Sequence, residues 1–120
     1  MTPQVIDKTA LHALAKVEQY RQQGAVSEAT SQRARKAFLL LAESMQFRMP
    51  EPQVWAGGQA QILFEWNSAE RHFEMEVLPE GEIEFYYSNQ TTKETWEAYS
   101  DIRNPIPAEI LEKASLLCSP

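Results

Sequence analysis

The stretch Arg71-His-Phe-Glu-Met-Glu-Val-Leu-Pro-Glu-Gly-Glu-Ile-Glu-Phe-Tyr-Tyr87 decides the fold. Phe73, Met75 and Val77 alternate with His72, Glu74 and Glu76, and after Leu78-Pro-Glu-Gly81 the alternation resumes with Ile83, Phe85 and Tyr87. A period of two places each apolar set on one face of an extended strand. Pro79 is preset for the first central position of a type I turn, and Gly81 accepts the left-handed conformation that closes a three-residue hairpin loop. That loop fixes a register: Val77 opposite Ile83, Met75 opposite Phe85, Phe73 opposite Tyr87, and Glu76 opposite Glu84. A slip of one residue would send every apolar side chain to the wrong face, so turn and pattern specify the same pairing.

Working outward, Ile62, Phe64 and Trp66 share a face in the same way, and Asn67-Ser-Ala-Glu70 joins them to the hairpin with matching parity. Gln53–Ala56, ahead of Gly57-Gly58, and the segment from Glu94 to Tyr99 are predicted as short edge strands. Before Pro50 and Pro52 the period is helical. From Asp7 to Gln23, Ala10, Leu11, Leu14, Val17 and Tyr20 line one face of a helix that Gly24 ends. A second helix starts near Ser27 as N-cap and reaches about Met45, with Ala34, Phe38, Leu41 and Met45 on its buried stripe. The run Phe38-Leu-Leu-Leu41 predicts cover on more than one side. A closing helix is expected from Pro107, at the first helical position, to Leu117, with Ile110, Ala114 and Leu117 inward. The sum is one α+β domain over residues 1–120: two N-terminal helices, an antiparallel meander of three to five strands with one face covered by helices, and a C-terminal helix.

In Ile62-Leu-Phe-Glu-Trp66, Phe73-Glu-Met-Glu-Val77, Pro79-Glu-Gly81 and Ile83-Glu-Phe-Tyr-Tyr87, preceded by a helix containing Arg33-Ala34, the chain resembles a group of small uncharacterised bacterial proteins. In that group two helices precede an antiparallel sheet. The resemblance runs from Pro52 to Tyr87, covers about half the chain, and implies the fold without an activity. Many of those proteins carry a Gly-Trp-Asp element after the first helix; here that region reads Tyr20-Arg-Gln-Gln-Gly24, so no role of that element carries over.

With 120 residues, 43% of them hydrophobic, the chain can bury a core without disulfides, and its one cysteine, Cys118, forms none within the chain. Nothing in Met1–Asp7 has the basic start and apolar run of a signal peptide, so the expected location is the cytoplasm and no membrane partner is expected. Asn89-Gln-Thr91 fits the glycosylation acceptor pattern but reads as incidental in that setting. The net charge of −6 argues against nucleic acid, whose affinity comes from clustered Lys and Arg. The charge is divided: residues 1–50 hold seven basic residues against four acids, and residues 51–104 hold three against eleven.

No nucleophile motif, metal-ligand spacing or phosphate loop is present, and Gly57-Gly58 reads as a turn between strands. Catalytic residues, metals and cofactors are therefore not assigned. The conspicuous feature is a glutamate stripe, Glu65, Glu74, Glu76, Glu82 and Glu84, on the face opposite the core, with Tyr86 and His72 beside it. Such a stripe is the ordinary solvated face of a half-buried antiparallel sheet. It is also the pattern that a basic protein partner would meet. The leading functional reading is a non-catalytic protein-binding module, an accessory or neutralising subunit of antitoxin or immunity type, with Glu65, His72, Glu74, Glu76, Glu84 and Tyr86 as the binding set. The alternative is a small ligand binder or enzyme with a pocket between helices and sheet near Trp96 and Tyr99. His12 reads as incidental and Cys118 as a frayed terminal thiol. Arg33, Arg35 and Lys36 read as a solvated helix face, or as the surface through which the helices of one copy meet the sheet of another in a homodimer.

Overall fold

The computed structural model describes residues 8–118. Three helices, α1 (Lys8–Gln22), α2 (Glu28–Ser44) and α3 (Ala108–Ser115), accompany five strands: β1 (Gln53–Ala56), β2 (Ile62–Ser68), β3 (Arg71–Val77), β4 (Glu82–Asn89) and β5 (Thr95–Asp101). All five form one antiparallel sheet in the order β1-β2-β3-β4-β5, so both expected edge strands exist and stand at its two edges. The β3–β4 register is the one that the turn dictates, with Val77 opposite Ile83 and Glu76 opposite Glu84. Leu78 N–H donates to Glu82 O at 2.9 Å and Gly81 N–H to Leu78 O at 3.0 Å, with Gly81 at φ +99°.

Ile62, Phe64, Trp66, Phe73, Met75, Val77, Ile83, Phe85 and Tyr87 are buried on one face of the sheet. Over them lies α2, with Phe38 stacked on Phe64 at 5.1 Å between ring centroids and on Trp66 at 6.4 Å. Thr30, Ser31, Ala34, Ala37, Phe38, Leu41 and Ala42 form the buried arc of α2, wide enough to meet both the sheet and α1. The helix is thus covered on more than one side, as expected, while Leu39 and Leu40 are half-buried on its outer side. In α1 the inward line is Ala10, Ala13 and Val17, and Leu11 is 50% exposed, contrary to the expected stripe. The small Ala13 faces inward where hydropathy alone favours the neighbouring leucine. Asp7, the expected first residue of this helix, lies outside the described residues. The hydroxyl of Tyr20 donates to Val54 O at 3.1 Å and ties α1 to β1.

The helix ends follow capping chemistry. Thr30 N–H donates to Ser27 Oγ at 3.1 Å. At the end of α1, Gly24 at φ +76° receives the chain in a left-handed turn, with Ala25 N–H donating to Tyr20 O. The same turn ends α2 on Gln46 at φ +54°, before Pro50 is reached. Pro107 stands at the N-cap of α3, one residue before the first helical position expected for it. Ile110, Ala114 and Leu117 point inward as expected. Lys113 of α3 lies over the Tyr87 ring at 5.1 Å and reaches Glu94 at 3.1 Å, which fixes this helix beside the β4–β5 end of the sheet. Cys118 is half-buried against the core, where a frayed terminus was expected, and burial pushes its thiol up. Asn89 is buried, and its side-chain oxygen accepts from the N–H groups of Thr91 and Thr92 at 2.9 and 3.0 Å, so the apparent glycosylation asparagine builds a turn.

Candidate functional site

The second face of the sheet is the candidate site. Because side chains alternate, the register lays out its rows. One row reads Gln53, Glu65, Glu74, Tyr86, Glu97; the next reads Trp55, Leu63, Glu76, Glu84, Tyr99; a third reads Asn67, His72, Ser88, Thr95. All six residues assigned from the sequence, Glu65, His72, Glu74, Glu76, Glu84 and Tyr86, therefore share this face. None of the lysines or arginines among the described strand residues projects from it: Arg71 has core parity and donates to Leu116 O at 3.3 Å on the helical side.

Its centre is a shallow concavity of about 180 Å³ lined by Glu74, Glu76, Glu84, Tyr86, Glu97 and Tyr99. Burial pushes the Glu76 carboxyl above the usual carboxylate range, and the Glu84 carboxylate across the ladder adds to the shift. Tyr99, 67% exposed, donates from its hydroxyl to Glu97 at 3.3 Å, and that carboxylate raises the phenol. Glu97 and Tyr99 were not among the assigned residues, although the parity of β5 puts them in line with Tyr86 and Glu84. Trp96 and Tyr99 do not come together. Trp96 lies on the helical side near Lys113, whereas Tyr99 stands on the acidic face.

At one side of the concavity the β2–β3 hairpin gathers a second group. Glu65 is directly opposite Glu74, and Asn67 is opposite His72. The Nε2 atom of His72 lies 2.5 Å from Glu74 Oε2, and its Nδ1 lies 2.7 Å from Asn67 Oδ1. The amide of Asn67 also donates to Glu65 Oε1 at 3.4 Å. One potential ligand atom from each of Glu65, His72 and Glu74 lies within 4.8 Å of the other two. Strand parity already places His72 on the glutamate face near Glu65; the contacts of its two ring nitrogens with Glu74 and Asn67 are what the structure adds. The β2–β3 hairpin folds Glu65-Trp-Asn67 back onto His72-Phe-Glu74.

Outside this face, His12 pairs with Glu51 at 2.8 Å, both exposed. Arg33 donates to Pro79 O and so braces the hairpin loop from α2, while Arg35 and Lys36 line an outer groove with Leu39 and Leu40. Between helices and sheet, the space lined by Ala10, Phe38, Phe47, Met49 and Trp66 measures about 10 Å³, room for roughly one water. Among the described residues no helix is long and apolar enough to cross a membrane. No family model, curated protein or solved structure matches the chain.

Proposed function

We propose that the protein is a non-catalytic binding module whose acidic sheet face receives a basic protein partner, as an accessory or neutralising subunit does. The observation that carries this reading is the concavity where Glu74, Glu76, Glu84 and Glu97 surround the rings of Tyr86 and Tyr99. Carboxylates brought together with no strand lysine or arginine on their face repel one another, and a guanidinium or ammonium group inserted among them offsets that repulsion. The tyrosine rings give the same cation a face to stack on, and arginine gains more from this than lysine. An uncovered sheet face leaves room for a protein surface, whereas the space between helices and sheet is the size of a water molecule.

The test is calorimetric titration with an oligo-arginine peptide. Glu74→Lys, Glu76→Lys and Glu84→Lys combined should abolish binding, while the same change in net charge made at Glu28, Glu43 and Glu109 should weaken it only modestly. Equal losses in the two triple variants would reduce the interaction to net charge and remove the sheet face from consideration. Tyr86→Ala with Tyr99→Ala should narrow the preference for arginine over lysine peptides.

A further inference from the structure

The geometry points to a site for a divalent transition-metal ion of the zinc type at Glu65, His72 and Glu74. It is independent of the basic-partner reading, because the ion would bind the chain alone. The site differs from a solvated acidic stripe in how its groups are aimed. Glutamates on an open face spread into water; here two directly opposed glutamates and one imidazole each bring a ligand atom within 4.8 Å of the other two.

Asn67 does the aiming. Its Oδ1, 2.7 Å from Nδ1 of His72, accepts the proton of that nitrogen, and Nε2 is the ring atom turned toward Glu74. This is the arrangement by which a metal-binding histidine is held in one tautomer through its second nitrogen. Nε2 is held 2.5 Å from a carboxylate oxygen, the contact of a shared proton, and a dication that displaces that proton to solvent gains a bond to each of the two atoms. The same amide holds Glu65 through its Nδ2. The three ligating residues are each half-buried and stand on one hairpin closed by the two-residue loop Ala69-Glu70, so little chain entropy is lost when the ion binds.

Ligand chemistry narrows the ion. One imidazole and two carboxylates suit zinc and its borderline neighbours, whereas magnesium and calcium prefer oxygen alone. Two carboxylates balance a dication, and no lysine or arginine of the strands faces the site to compete. Ligand atoms around a tetrahedral zinc stand ~3.3 Å apart. Seating the ion therefore requires the His72–Glu74 contact to open and Glu65 to swing in, both rotations of side chains with room to move. Three protein ligands leave the remaining coordination open to solvent on the exposed side.

The experiment is a titration of the intact chain with Zn²⁺, read by calorimetry and by the histidine ring resonances in NMR. One ion per chain should bind, with the His72 ring signals shifting in step and those of His12 unchanged. His72→Gln should weaken binding more than about tenfold, and Asn67→Ala by about tenfold or more through loss of the ring's orientation. His12→Gln, which breaks the exposed histidine–glutamate pair with Glu51, should bind as the unaltered chain does. A large excess of Mg²⁺ should not displace the zinc. Unshifted His72 signals at one equivalent, His72→Gln binding undiminished, or ready displacement by Mg²⁺ would each overturn the site and leave only diffuse attraction to an acidic surface. The NMR observation needs no variant, and Glu65→Gln provides a further loss of affinity should His72→Gln fold poorly.

Discussion

Glu76 stands directly opposite Glu84 across the β3–β4 ladder, and Glu76 is the more enclosed of the two. Burial raises the folded-state pKa of Glu76 above its unfolded value, and Glu84 adds to the rise. A carboxyl with that shift costs nothing while it is protonated in both states, and costs progressively more as pH climbs from the unfolded value through the folded one. Glu84→Gln should therefore stabilise the protein by ~0.2–1 kcal/mol at neutral pH. The gain should vanish below the ordinary carboxylate range and shrink in high salt. Urea unfolding of both proteins at two pH values and two salt concentrations measures this, and a variant no more stable than its parent at neutral pH would refute the repulsion argument.

Gly81 closes the loop that sets the sheet's register. Its φ of +99° is one that residues with a Cβ avoid, and a Cβ built there would meet Ile102 Cγ2 at 2.9 Å. Gly81→Ala should cost at least ~1–2 kcal/mol, from the backbone preference alone. Gly58 makes the contrast, since a Cβ there meets nothing within 4 Å, and Gly58→Ala should stay within about 0.5 kcal/mol of the parent. Similar melting temperatures for the two variants would show that the loop does not need glycine at position 81.

Ser27 supplies the side-chain cap of α2, the helix that covers the sheet. Ser27→Ala should lower stability by ~1 kcal/mol, and Ser27→Asp should retain it, because a carboxylate accepts from the same N–H and favours the positive end of the helix dipole. Denaturant midpoints for the three proteins decide the point; an alanine variant as stable as the parent would show that water caps this helix equally well.

The strands were legible because pleat and turn chemistry act over neighbouring residues: Phe73 to Tyr87 carries its own register, and Pro79 and Gly81 select the loop. The face of each candidate binding residue followed from the same alternation. Harder to read were contacts set by which element packs on which. Leu11 satisfies a helical period as well as Ala13 does, and it is the packing of α1 on α2 and β1 that leaves Ala13 buried and Leu11 half exposed. Arg33 looked like one of three solvated charges until the hairpin loop came under it. That His72 lies near Glu65 followed from parity, but which side chains its ring nitrogens meet, Glu74 and Asn67, depends on rotamers that no period encodes. Trp96 and Tyr99, three residues apart, were joined in expectation by their aromatic character; strand parity separates them.

Self-association tests how the two charged surfaces are placed. Arg35 and Lys36 lie on the outer side of α2, whose opposite side packs on the sheet, while the glutamates occupy the sheet face turned away from that helix. The basic and acidic surfaces are thus on opposite sides of the molecule. A helix-to-sheet contact between two copies leaves one free surface of each kind, so it is heterologous and propagates instead of closing into a twofold pair. Pairing through the sheet edges meets other obstacles: β1 has only four residues, and β5 carries Glu97 and Asp101. Light scattering at low salt should accordingly show a mass that rises with concentration without levelling at two chains, and a monomer over the micromolar range once salt screens the charges. Lys36→Glu with Arg35→Glu should abolish the rise. A dimer of constant mass that persists in high salt would mean that apolar or edge contacts hold two copies together, and that the division of charge plays no part in it.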